Sequence, residues 1–257
     1  MHMNCKPRLL LHALALTLGL ATMLPANASV VIANTRVIYN AEDRETTIKL
    51  NNAGRAPALT QSWIDAGNPK ASPSDSNAPF TVTPPVARID PGKAQTLRIF
   101  YTGEPLPKDR ESVFWLNVLE VPPKATGADA DHNKLQMAFR SRIKLFFRPM
   151  GLSGTPELAA QQLEWRLVRD GKQVALEGRN AAAFHVTVSA LSLVGDGGTV
   201  QAREGGMIGP GETKRFWLTG ALPAATPSSV HYETINDYGG ATKSDAALHA
   251  SPSAGTD

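Results

Sequence analysis

KLQMAFRSRIKLFFRP, residues Lys134 to Pro149, alternates apolar and polar side chains along much of its length. Leu135, Met137 and Phe139, then Ile143 and Leu145, recur at every other position, and Gln136, Arg140 and Arg142 lie between them. A period of two predicts a β-strand with one apolar face and one wet face. DRESVFWLNVLEVPP, Asp109 to Pro123, precedes it as a second strand, with the polar stretch KATGADADHN between the two. The apolar row of the second strand must be covered, either by the chain's own core or by another protein.

Outward from this pair, the chain reads as short β segments separated by turn residues. Val30 to Tyr39, Glu45 to Leu50, Ala58 to Ile64, Phe80 to Thr83, Gln95 to Tyr101, Ser112 to Val121 and Leu135 to Phe147 are the expected strands. Turn clusters such as Asn51-Asn52-Ala53-Gly54, Gly67-Asn68-Pro69 and Asp90-Pro91-Gly92 punctuate them. Seven strands without a helical period predict an immunoglobulin-like β-sandwich over residues 29–149. After Arg148-Pro149 a second β-sandwich domain is expected over residues 150–248. Its strands are Glu164 to Val168, Lys172 to Glu177, Phe184 to Ala190, Thr213 to Leu218 and Val230 to Ile235, with Asp170-Gly171 as a hairpin turn. Residues 249–257, rich in Ser, Pro, Gly and Ala, are expected to be a disordered tail. No internal repeat is evident, and helix-like character is confined to the first residues.

Those first residues read as a secretory signal. Lys6 and Arg8 precede an apolar run from Leu9 to Leu24, and Ala26-Asn27-Ala28 supplies small residues for cleavage, so residues 1–28 are expected to be removed. A membrane anchor needs about 20 apolar residues, and His12 and Pro25 interrupt or end this run. The destination is therefore expected to be the periplasm, with the mature chain not embedded in a membrane. Cys5, the only cysteine, leaves with the signal, so core burial alone stabilises the mature chain. Lys6 and Arg8 also leave, so 24 basic residues face 23 acidic ones, which gives no basis for a nucleic-acid partner or an anionic membrane surface.

Four stretches together resemble the periplasmic chaperones of the chaperone–usher pilus pathway. They are FTVTPPVARIDPG (Phe80 to Gly92), DRESVFWLNVLEVPP (Asp109 to Pro123), FRSRIKLFFRP (Phe139 to Pro149) and INDYGG (Ile235 to Gly240). The resemblance covers essentially the whole mature chain. It implies an all-β protein of two immunoglobulin-like domains set as an L. The implied partners are pilus subunits that lack their final strand, an outer-membrane usher and a possible self-capping dimer. By position, Leu135, Met137 and Phe139 would be the donor strand whose side chains enter the subunit's groove. Burying the three would supply about 5–9 kcal/mol before ordering costs. Arg36 and Lys144 would anchor the subunit's C-terminal carboxylate, a fork and a point charge suited to that group. Lys144 has the opposite parity to the donor row, so it should face the other side. Glu111, Arg148 and Asp237 would form an interdomain ion network that sets the domain angle more than it adds stability. The short loop Pro122 to Asn133 resembles the short-loop subclass, which serves rod-like pili.

Three other classes compete. An enzyme is disfavoured, because His132, His185, His231 and His249 lack metal-ligand spacing, no nucleophile motif is present, and no metal or cofactor is implied. A secreted structural pilus subunit or adhesin would show an N-terminal apolar extension and commonly a disulfide; here the first strand begins within two residues of the cleavage site. A carbohydrate-binding module would expose aromatic residues. Trp63, Trp115, Trp165 and Trp217 instead lie within strand patterns and are expected in the core.

Overall fold

The segment Val30 to Tyr39 is two strands and not one. β1 (Val30–Ile32) pairs antiparallel with β3 (Thr46–Asn52), whereas β2 (Arg36–Asn40) runs parallel to β9 (Phe139–Arg148). Each half buries its own apolar side chains in one core, Val30 from the first and Val37 and Tyr39 from the second. Stacked sheets lie about 10 Å apart, so a chain that serves both must leave one ladder before joining the other. Ala33–Thr35 is that link. The computed structural model describes residues 29–121, 137–171, 173–195, 198–220, 222 and 229–249. The expected signal, the 122–133 loop, Leu135 and the tail from 250 onward lie outside the described residues.

The first domain stacks a four-stranded sheet, in the order β1-β3-β7-β5, on a five-stranded one, β2-β9-β8-β4-β6. Here β4 is Ala58–Asp65, β5 Phe80–Thr83, β6 Val86–Ile89, β7 Ala94–Tyr101 and β8 Ser112–Val121. Alternation sets the core: Phe114, Leu116 and Val118 of β8 and Leu145 and Phe147 of β9 meet Ile48, Leu50, Leu97 and Ile99 from the facing sheet. Ile143 is partly buried against the same cluster. β6 was not expected, because it is four residues long and buries only Ile89.

The second domain has β10 (Glu164–Asp170), β11 (Gln173–Arg179), β12 (Val186–Gly195), β13 (Gly198–Gln201), β14 (Gly206–Ile208), β15 (Thr213–Trp217), β16 (Ser229–Ile235) and β17 (Ala241–His249). They hydrogen-bond in the order β13-β12-β16-β17-β10-β11-β15, with β14 beside β12. Gly171, at φ 58°, turns the expected hairpin between β10 and β11. Contrary to expectation, a helix occurs outside the signal: α1 (Pro156–Gln161), whose Thr155 hydroxyl caps the Leu158 N–H and whose Pro156 opens the first turn. β17 also runs into the expected tail, where His249 pairs with Arg166. Its sequence, ATKSDAALH, buries no residue fully, so it has little apolar alternation to betray it.

Candidate functional site

The parallel register of β2 and β9 puts Arg36 directly opposite Lys144. Neighbouring strands lie about 4.8 Å apart, so the two cations stand side by side on the outer face of the five-stranded sheet. Core side chains of β9 have odd numbers, so Lys144, as its parity predicts, leaves by the other face. Both cations reach the second domain. Arg36 Nη1 donates to the Ile235 carbonyl at 2.9 Å, and Lys144 Nζ donates to Thr187 Oγ1 at 3.1 Å. Neither has a carboxylate partner among the described residues, and Arg36 Nε is buried without an acceptor. Burial, followed by the charges of Arg36 and Lys214, lowers the Lys144 pKa from 10.5 to about 8. Burial outweighs the pull of the nearby Asp237 and Glu111 and lowers the Arg36 pKa as well. Those two carboxylates are already bonded to Arg148, so neither cation has an ion-pair partner of its own among the described residues, and the pair is equipped to take up an anion.

Next to this pair lies a fully matched network. Arg148 donates to Glu111 Oε1 at 3.1 and 2.8 Å and to the two Asp237 oxygens at 2.7 and 3.2 Å. The structure thus brings Glu111, Arg148 and Asp237 together across the domain junction. Burial pulls the Arg148 pKa down, but Asp237 and Glu111 more than compensate and raise it. Sequence reasoning missed a fourth member, His185. Its backbone N–H and its Nδ1 approach Glu111 Oε2 at 2.8 and 2.9 Å. Only the packing of one domain on the other reveals it, since the two residues are 74 positions apart. A cavity of 110 Å³ behind Arg36 is lined by Glu111, Arg148, His185, Ile235 and Asp237.

The third feature is the free part of β9. β2 covers its edge only from Lys144 to Arg148, so Phe139 to Ile143 carry no neighbour on that side among the described residues. Met137 and Phe139 are each 52% exposed, which is unusual for large apolar side chains. On the outer face, Arg142 and Arg140 lie over the rings of Trp115 and Trp63 at 4.1 and 4.7 Å. Arg142 also grips Asp65 with two hydrogen bonds, of 3.1 and 2.5 Å, and Arg140 donates to Asn117. Asp65 is almost wholly buried, yet its pKa is lowered, because bonds from Arg142, Asn117 and Gly67 outweigh desolvation. This arrangement corrects the expectation for the tryptophans in part. Trp165 and Trp63 are buried as expected, Trp63 on the outer sheet face beneath Arg140, whereas Trp115, beneath Arg142, and Trp217 are only partly buried.

Among the described residues no group of His, Cys, Asp and Glu is placed to hold a metal, and no helix is long and apolar enough to cross a membrane.

The sequence matches the PapD N-terminal domain of pili and flagellar-assembly chaperones over residues 29–153, and the PapD C-terminal domain over residues 158–246. Chaperone protein FimB/FhaD of Bordetella pertussis is 49% identical over 234 residues, spanning 89% of this chain and 92% of that one. YadV of Escherichia coli K12 is 42% identical over 223 residues, 86% of this chain and 90% of that one. The crystal structure of the YadV chaperone aligns with a TM-score of 0.73, covering 86% of this chain and 100% of that one at 40% identity. A solved structure of the Salmonella enterica SafA pilin in complex with the SafB chaperone aligns at a TM-score of 0.71 and 28% identity, covering 88% and 99%. The chain belongs to the family of pilus-assembly chaperones, with their two-domain, nearly all-β fold. Its role is that of a fimbrial chaperone and not of a pilus subunit.

Proposed function

We propose that the protein works in the periplasm, where it holds pilus subunits whose fold lacks a final strand and passes them to an outer-membrane usher. One observation carries this reading: an unpaired strand edge, flanked by exposed Met137 and Phe139, ends at the two side-by-side cations Arg36 and Lys144. A subunit strand laid along Phe139 to Ile143 gains main-chain hydrogen bonds, each worth about 0.5–1.5 kcal/mol. Its terminal carboxylate then falls to Arg36 and Lys144, which fix the register. Leu135, Met137 and Phe139 fill the groove left by the missing strand and shield surface that would otherwise aggregate. Glu111, Arg148 and Asp237 hold the two domains at the angle that keeps the cleft open. No nucleotide or cofactor is required, because the driving force is burial. At the usher, the extension of the next subunit replaces the donated strand. In the absence of a subunit, two copies can cover each other's edges as a self-capped dimer.

The test is a periplasmic pull-down with mass spectrometry from cells that express the pilus subunits, comparing wild type with Lys144→Ala. Recovery of a subunit with wild type and its loss with the variant is the expected result. Failure of well-expressed wild type to retain any subunit would remove the reading.

A further inference from the structure

Arg36 and Lys144 both come from the first domain, but a third cation approaches them from the second. Lys214, on β15, extends its ammonium over β14: a Cβ placed on Gly206 would meet Lys214 Nζ at 2.5 Å. Gly206 pairs with Val188, and the adjacent Met207 pairs with Thr187, the residue whose hydroxyl accepts from Lys144. A short path therefore runs from Lys144 through Thr187 and β14 to Lys214.

The charge pattern around this path is uneven. Arg142 and Arg148, the neighbouring arginines on β9, are each matched to a carboxylate at 2.5 to 2.8 Å. Arg36 bonds a carbonyl and feels Asp237 and Glu111 only at longer range, Lys144 has a hydroxyl, and Lys214 has no carboxylate among the described residues; its ammonium stands 5.8 Å from the Phe216 ring. Like charges that approach one another without a counter-ion repel, and the repulsion grows as water is excluded. Such an arrangement is relieved by an incoming anion.

We infer that Lys214 is a further binding residue of the cleft, so that a partner's terminal carboxylate is held by cations of both domains. This rests on the carboxylate-anchor reading of Arg36 and Lys144 given above. The effect of Lys214 on the Lys144 ammonium, third behind burial and Arg36, is consistent with their proximity. Because Lys214 belongs to the second domain, engagement of the carboxylate also draws the two domains onto one ligand. Any rearrangement of their angle then changes the anion site.

The experiment uses the mature protein and a fluorescent strand-forming peptide of alternating Val and Thr, made with a free C-terminal carboxylate and as the C-terminal amide. Wild type is expected to prefer the acid over the amide by roughly ten-fold. Lys214→Gln should weaken the acid by roughly three- to five-fold, leave the amide unchanged and flatten the salt dependence of the acid. Lys214→Arg should restore the acid preference. In a second readout, lysine labelled with carbon-13 at Cε should show Lys144 titrating higher in Lys214→Gln than in wild type. An unchanged acid preference in Lys214→Gln, with wild type still discriminating, overturns the inference and leaves the anchor intact. Loss of discrimination in wild type itself overturns the anchor, and the inference with it.

Discussion

Lys144 is a half-buried ammonium whose only direct polar partner among the described residues is a hydroxyl, and its pKa of about 8 makes its charge sensitive to mild alkali. Only the protonated form attracts a carboxylate. Under the proposed anchor, affinity for a subunit is expected to be full below about pH 8 and to fall as pH rises through that value, by at most about ten-fold per unit until the bound-state pKa is reached. The effect on folding has the opposite direction. Between about 8 and 10.5 the unfolded chain binds a proton that the native site rejects, so the destabilisation due to Lys144 is fully present below 8 and relieved above it. Titration of subunit affinity from neutral to alkaline pH should show the fall in wild type and little of it in Lys144→Arg. Sequence motifs led to Lys144, and its parity placed it on the correct face. Thr187 and Ile235, which position the two cations, were not legible, because a hydroxyl or carbonyl acquires such a role only when a second domain folds against it. Trp115 shows the reverse error. Its place in a strand pattern was legible, but both strand faces are covered there, one by core and one by arginine.

At the level of elements, β9 serves two purposes along one strand. Its odd-numbered residues from Ile143 onward face the core, with Leu145 and Phe147 fully or almost fully buried. The same parity continued backward gives Phe139 and Met137, which lie beyond the reach of the core and stay half exposed. A polar substitution at the exposed end should leave folding nearly untouched, within about 0.5 kcal/mol in urea denaturation. It should remove about 1.5–3 kcal/mol of subunit binding per side chain. Phe139→Asp is thus expected to fold like wild type and lose most subunit capture in a pull-down, whereas Leu145→Asp should fail to fold. Equal loss of stability in both would place Phe139 in the chain's own core. Alternation made this strand legible over most of its length. It could not show where β1 ends and β2 begins, since the two halves obey one pattern yet pair in different sheets. β17 escaped notice for the converse reason, since it is held by ladder bonds to β16 with few apolar contacts of its own.

At the scale of the molecule, the two domains share a device that no fixed sequence period displays. Asn52, buried in the first, donates to the Ala56 and Ile89 carbonyls, and Gly92 donates its N–H back to the Asn52 carbonyl. Asn180, buried in the second, donates to Phe184 and Ile208, and Gly211 donates to Asn180. The long bond spans 37 residues in one domain and 28 in the other, so a search for repeats finds nothing. Gly92 and Gly211 both adopt positive φ, 69° and 74°, a conformation that costs glycine little.

The charged cluster at the junction is one of several contacts that join these two related units, and its energetics predict how they come apart. Glu111 is buried to 1% of its side-chain area and accepts from Arg148 and His185, so removal of Arg148 strands a carboxylate away from water. Breaking a buried pair in this way typically costs about 3–5 kcal/mol, more than the pair itself contributes over an apolar replacement. Arg148→Ala should therefore lower the urea midpoint, and Arg148→Met combined with Glu111→Gln should recover much of the loss. Stability alone does not separate a loosened hinge from a weakened domain. The only cysteine, Cys5, lies in the expected signal, so the mature chain offers a background free of thiols for a pair of spin labels, one per domain. The interdomain distance should be a single narrow distribution in wild type, broad in Arg148→Ala, and narrow again in the double variant if neutral partners pack as the charged ones do. A narrow, unshifted distribution in Arg148→Ala would mean that Arg36, Lys144 and the remaining interdomain contacts already fix the angle. The cluster would then only satisfy its own buried charge.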